Sequence, residues 1–189
     1  EQPATETGPA IIPERGCRPR PFIRAAHASL LSGKICYDCR MNTDLTGKVA
    51  IITGAAGPQG QAIVEALVAE GVRVALRDIN PDRLAKMAAD IRARGGQAID
   101  ITADVASKFQ CVNIVETTRA EWGQLDILVN AQSVRPAVSV IKMDEWEWAR
   151  CIDVNLKGTF LMNQLCGRVM SDENKDRGGT SINLTTQIN

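Results

Sequence analysis

KVAIITGAAGPQGQAIVEALVAEG, Lys48 to Gly71, runs from an apolar segment through a glycine-rich turn into an amphipathic one. Val49 to Thr53 is short, apolar and rich in isoleucine and valine, as a strand buried on both faces requires. Gln59 to Glu70 has helical spacing. Gly54, Gly57 and Gly60 fall between them, where a chain must turn sharply and small residues permit close approach to a ligand. Pro58 stands in that turn with a fixed φ and no N–H, so any contact from that amide is lost while the neighbouring glycines keep the turn possible.

Outward from this stretch the same alternation repeats. VAIIT (Val49 to Thr53), RVALRD (Arg73 to Asp78), AIDITAD (Ala98 to Asp104), DILVNA (Asp126 to Ala131) and TSINLTT (Thr180 to Thr186) are strand candidates bounded by turn residues. Helical spacing occupies Gln59 to Glu70, Pro81 to Arg94, Ser107 to Trp122 and Met143 to Met170, the last read as two helices in succession. Asn80 before Pro81 is a cap followed by a first-turn proline, and Gly71, Gly95 and Gly123 close three helices. Strand and helix in alternation predict right-handed crossovers and an α/β, doubly wound parallel sheet of about five strands, Rossmann-like and incomplete.

The 189 residues contain 22 Lys plus Arg and 22 Asp plus Glu, so no overall basic field exists to attract nucleic acid or an anionic membrane. No run reaches the roughly 20 apolar residues of a membrane span. A cytoplasmic protein is expected. Residues 1–40, rich in proline and arginine and without periodicity, read as a disordered extension, and 41–189 as the Rossmann-like domain; Met41 resembles a natural start. Cysteines 17, 36, 39, 111, 151 and 166 fall at irregular spacings and are expected to be reduced. Cys36 and Cys39 make a single C-x-x-C pair, a weak zinc or redox signal even with Cys17 and His27 added, and no metal is expected.

In a doubly wound sheet the ligand lies beyond the carboxyl ends of the strands, where the strand order reverses. Gly54, Gly57 and Gly60, with Gln59 among them, then place helix N-terminal N–H groups against a pyrophosphate. Asp78, closing the second strand, is positioned to accept hydrogen bonds from an adenosine ribose and to repel a 2′-phosphate. NAD is therefore expected, with NADP the lesser alternative that the neighbouring Arg77 keeps open.

These motifs resemble the short-chain dehydrogenases/reductases, whose glycine motif is T-G-x-x-x-G-x-G. The similarity covers Thr53, Gly54 and Gly60, then Asp78, Asp104 with Val105, Asn130 with Ala131 in LVNAQS, and Asn155 in DVNLKGTF, from about Thr46 to the end of the chain. The resemblance implies a nicotinamide-dependent oxidoreductase acting on a secondary alcohol or ketone. It further implies Asp104 at the adenine side, Asn130 supporting the fourth strand beside the cofactor, Asn155 holding a water in a proton relay, and a homo-oligomeric parent. Departures are Pro58 at the family's second glycine, with weakened cofactor binding the expected cost, and NAQS in place of N-N-A-G, by deletion or by substitution. The family's substrate-orienting serine is matched by Thr186, whose hydroxyl keeps the role.

The family's Y-x-x-x-K acid/base motif has no counterpart before Asn189, and the single tyrosine, Tyr37, precedes the first strand. The resemblance thus implies the N-terminal, cofactor-binding part of a longer enzyme, with the fifth strand an exposed apolar edge and the last helix short of partners. A second reading, a non-catalytic dinucleotide-binding or interaction protein, stays open; a Tyr followed four residues later by Lys downstream separates the two. Trp122, Trp146 and Trp148 read as packing residues, Asp144, Glu145 and Glu147 as a helix start, and SVRPAVSVIK (133–142) as a candidate wall of a substrate pocket.

Overall fold

The structure is a computed structural model, and it describes residues 44–174 and 177–185. Within these, β1 (Val49–Thr53), β2 (Arg73–Asp78), β3 (Ala98–Thr102), β4 (Ile127–Asn130) and β5 (Thr180–Asn183) form one parallel sheet in the order β3-β2-β1-β4-β5. The helices are α1 (Pro58–Ala69), α2 (Pro81–Ala93), α3 (Lys108–Trp122), α4 (Glu145–Ile152) and α5 (Thr159–Glu173). The doubly wound reading holds.

β1 is central, and every one of its residues is buried. Strand pleating sends Val49 and Ile51 to one layer and Ala50 and Ile52 to the other. Ala50 and Ile52 meet Val64 of α1 and Leu84, Ala88 and Ile91 of α2, whereas Val49 and Ile51 meet Cys111 and Ile114 of α3 and Leu161 and Met162 of α5. Ile51 and Ile52, with no exposed surface, are each worth about 1.5–3 kcal/mol of burial. Asp126, just before β4, accepts from the Val49 N–H at 2.9 Å, from Gln124 Nε2 at 2.9 Å and from Lys48 Nζ at 3.4 Å, fixing the lower end of β4 against β1.

Several boundaries are corrected. Asp104 lies beyond the end of β3, Ala131 beyond β4, and β5 stops at Asn183; Thr186 lies outside the described residues, as do residues 1–43 with Cys17, Cys36, Cys39 and His27. Met143 to Met170 does hold two helices in succession, and they follow one another without a break. α4 and α5 join through a π turn, Asp153–Gly158, with the backbone right-handed throughout. Its N-terminus carries a full capping box, Asp144 accepting from Glu147 N at 2.7 Å. Trp122 packs against the core, but Trp146 and Trp148 are 72% and 59% exposed, because α4 buries no residue. Among the described residues β5 lies at one edge of the sheet, and it is mostly polar rather than apolar as expected, with Ile182 its only large apolar side chain.

Cys111, Cys151 and Cys166 are free thiols. Burial pushes Cys111 up to about 11 and Cys166 up to about 12, so both stay protonated at neutral pH. Among the described residues no helix is long and apolar enough to cross a membrane, and no cluster of side chains is suited to a metal ion.

Candidate functional site

The chain runs β1 to β3 in one direction across the sheet and then returns to place β4 on the other side of β1. The reversal point therefore lies between the upper ends of β1 and β4. A cleft of about 490 Å³ opens there, walled by the turn after β1, the ends of β2 and β4, and α4.

The turn owes its shape to two glycines with different duties. Gly54 has φ +67°, and a Cβ there would come within 2.7 Å of the Ala131 carbonyl and of Gln132 Cα. Gly60 is ordinary helix, but a Cβ on it would lie 2.2 Å from the Gly54 carbonyl oxygen. Gly57 needs neither freedom nor much space: it is the N-cap of α1 at φ −76°. This corrects the expectation that Gly57 and Gly60 supply the conformational freedom. Pro58 is likewise not in mid-turn; it is the first residue of α1, where the absent N–H would have had no helical partner. The first helical bond runs from Gln61 N to Gly57 O at 2.9 Å, so the N–H groups of Gln59 and Gly60, both lining the cleft, precede the ladder.

Asp78 closes the adjoining wall. Its carboxylate accepts from Ala56 N at 3.2 Å, from Ile79 N at 2.8 Å and from Asn80 N at 3.2 Å, tying the β1 turn to the end of β2. Ile79, beside it on the rim, is 59% exposed. Arg77 also lines the cleft but is only 3% exposed, and it donates to the Ala103 carbonyl. Burial pulls its guanidinium below the ordinary value, against the opposing pull of Asp104 and Asp78. Asp104 receives Arg150 Nη1 at 2.6 Å and Ala106 N at 2.9 Å, with Arg77 at 3.8 Å. Burial raises the Asp104 carboxyl, but these hydrogen bonds and the two arginine charges outweigh it and hold it below the usual carboxylate range.

Val105 does not line the cleft. It is fully buried beneath Gly158, whose missing side chain lets the π turn sit on it. Asn130 is buried and donates to Asn183 Oδ1 at 2.8 Å, linking β4 to β5. Ala131 forms the cleft floor behind Gly54. Asn155 lies in the π turn; its amide brackets Val134, accepting from the backbone N at 2.9 Å and donating to the carbonyl at 2.8 Å. Ser133 and Val134 line the cleft, while Val140 and Ile141 of the same loop are exposed.

The family model for short chain dehydrogenase matches residues 48–188. The chain belongs to the short-chain dehydrogenase family. Among its relatives, D-threitol dehydrogenase of Mycolicibacterium smegmatis is 34% identical over 76% of this chain and 54% of its own length. Sorbitol dehydrogenase of Cereibacter sphaeroides is 36% identical with the same coverage of both. Among solved structures, a short-chain type dehydrogenase/reductase from Mycobacterium marinum superposes with TM-score 0.70 at 33% identity, covering 74% of this chain and 56% of that one. An NAD+-bound xylitol dehydrogenase gives 0.68 at 30% identity over 74% and 53%. The chain spans about half the length of most of these relatives.

Two residues lining the cleft of this family member, Arg150 and Gln132, and Thr159, which bonds to Gln132, escape the sequence reading. Arg150 was hidden because its partner, Asp104, is 46 residues away. Gln132 had a signal, as one of the departures from N-N-A-G, and Thr159 had none. The Thr53 hydroxyl donates to Gln132 Oε1, and Gln132 Nε2 donates to Thr159 Oγ1 at 2.9 Å.

Proposed function

We propose that the protein carrying these residues is an NAD-dependent oxidoreductase acting on a secondary alcohol or ketone. The observation that carries this reading is the glycine turn held at 3.2 Å against the Asp78 carboxylate, with the unladdered N–H groups of Gln59 and Gly60 on the same cleft. Thr53, Gly54, Gly57, Gln59, Gly60, Asp78, Asp104, Val105, Asn130 and Ala131 are assigned to the cofactor site, by contact or by supporting those that make it. When bound, the nicotinamide supplies hydride-transfer chemistry. Asn155 and Thr186 are assigned to positioning the reacting groups. Relatives named for D-threitol, sorbitol and xylitol support an alcohol substrate. Free thiols among the described residues support a reducing compartment, the cytoplasm.

Preference for NAD over NADP rests on two facts. Asp78 puts a carboxylate on the cleft wall, and both guanidiniums that line the cleft are engaged, Arg77 with Ala103 and Asp104 and Arg150 with Asp104. Titration of both dinucleotides should give NAD an advantage of about tenfold or more, equal to roughly 1.4 kcal/mol. Asp78→Asn removes the charge and keeps one acceptor oxygen, for either Ala56 N or the Ile79 and Asn80 N–H groups, so it should erase most of that advantage at some cost to the turn. Equal or tighter binding of NADP by the unaltered chain would overturn the assignment.

A homo-oligomer belongs to the same proposal. Trp148, Ile152, Leu156 and Phe160 recur every four residues along α4, the π turn and α5, and are 59%, 36%, 65% and 57% exposed. Such a stripe supports helix-to-helix association. Sedimentation at tens of micromolar should show a dimer or larger species, and Leu156→Glu with Phe160→Glu should shift it to monomer; a monomeric unaltered chain would refute this part.

A further inference from the structure

Gln132 is out of character for its place. It follows β4 directly, lines the cleft, and its Cα is among the atoms that exclude a side chain from Gly54. A polar side chain in so confined a position needs partners for both ends of its amide, and it has them.

The Thr53 hydroxyl carries one hydrogen. The Val129 carbonyl at 3.2 Å and Asn130 Oδ1 at 3.4 Å are within reach, but Gln132 Oε1 is the closest acceptor. With Oε1 turned to Thr53, Nε2 points to Thr159 and donates at 2.9 Å. Thr159 Oγ1, accepting there, directs its own hydrogen to the Asn155 carbonyl at 2.8 Å. A threonine bonded to the carbonyl four residues back is common in helices. Here a donor also enters that bond from outside the helix, from Gln132 after β4, whose carbonyl end is held by Thr53 at the head of the glycine turn. Each link fixes the polarity of the next, as in cooperative hydrogen-bond chains.

We propose that Gln132 is a positioning residue, a side-chain strut that ties the cofactor turn at Thr53 to the Asn155 carbonyl through Thr159. The coupling part of this inference rests on the dinucleotide reading above: occupancy of the glycine turn steadies Thr53 and, through the strut, the π turn that holds Asn155. The strut itself exists without ligand. Gln132 therefore acts through other residues and is no catalytic group.

Backbone hydrogen exchange of residues 153–160, measured on the full 189-residue chain with and without NAD, tests both parts. Thr159→Val keeps the shape and removes the hydroxyl, Thr159→Ser keeps the hydroxyl, and Gln132→Leu removes the strut. Without ligand, Thr159→Val and Gln132→Leu, each of which removes two hydrogen bonds, should each speed exchange in 153–160 about fivefold or more, fivefold being what the net loss of one such bond predicts. β2 and β3 should be unaffected, and Thr159→Ser should match the unaltered chain. With NAD bound, the unaltered chain should gain protection in 153–160 that both disrupted variants lack, even at saturating NAD.

Equal exchange in Thr159→Val and the unaltered chain would overturn the strut, as would equal damage from Ser and Val, which would point to packing. NAD bound without added protection in 153–160 would overturn the coupling alone. If NAD does not bind at all, the dinucleotide reading fails, and the ligand-free comparison still decides the strut.

Discussion

Gly60→Ala should collapse the glycine turn before α1, proposed above to hold the cofactor. The added Cβ would sit 2.2 Å from the Gly54 carbonyl oxygen, 2.9 Å from the Gly54 carbonyl carbon and 2.8 Å from Ala55 Cα. All three are backbone atoms, so no rotamer change can relieve the overlap. Either α1 moves away from the sheet or the Gly54 peptide rotates, and rotation breaks the 3.1 Å bond that its oxygen accepts from Gly57 N. Overpacking and the lost bond together are worth about 3 kcal/mol. For a chain of this size that lowers the melting temperature by roughly 6–12 °C. NAD affinity should fall by about 100-fold or more, since the N–H groups of the first turn move with α1. Gly57→Ala is the internal control: its Cβ meets only the same oxygen, at 3.3 Å, and its φ suits any residue. Circular-dichroism melting and NAD titration of both variants check this, and a Gly60→Ala protein within 2 °C and twofold of the parent would refute the packing argument.

Gly158→Ala should be nearly as damaging, by a different route. Here the new Cβ would lie 2.6 Å from Val105 Cγ2, 2.9 Å from Val105 Cβ and 3.3 Å from the Asp153 carbonyl. Val105 is fully buried after β3, so either it is pushed into the core packed around it or the π turn lifts off. The cost is about 2 kcal/mol in urea unfolding. Because the obstacle is a side chain, it can be removed. Val105→Ala alone should also destabilise, by about 1–2 kcal/mol through the cavity it leaves. In the double variant the alanine methyl partly fills that cavity, and the combined loss should fall short of the sum by about 1 kcal/mol or more. Strict additivity would show that Gly158 and Val105 do not share the contact described.

How far the residues announced this arrangement depends on the range of the interaction. The strands were legible because each is a short apolar run, and for β1 burial on both faces leaves no polar face to confuse the period. Caps were legible because Asn80 and Asp144 bond backbone only three residues on. β3 and β4 ended early, since where pairing stops depends on the neighbouring strand rather than on the run itself. The exposure of Trp146 and Trp148 was not legible, because helical spacing identifies a face without saying what covers it.

The same division runs through the site. By itself, the sequence determined the alternation of strand and helix, the glycine turn before α1, the acid at the end of β2 and membership of the short-chain dehydrogenase family, all of which reside in local pattern and order along the chain. Only the tertiary structure decided that Gly54 supplies the turn's left-handed residue while Gly60 supplies space, that Pro58 begins a helix, that Arg77 is withdrawn to Asp104, and that Gln132 bridges Thr53 to Thr159. The Gly60 and Pro58 facts turn on atoms within one local turn, whereas the close approach at Gly54, the placing of Arg77 and the Gln132 bridge depend on segments 26 to 79 residues apart. Side-chain direction and backbone contact at that range are set by how layers pack, which no local spacing of residues encodes.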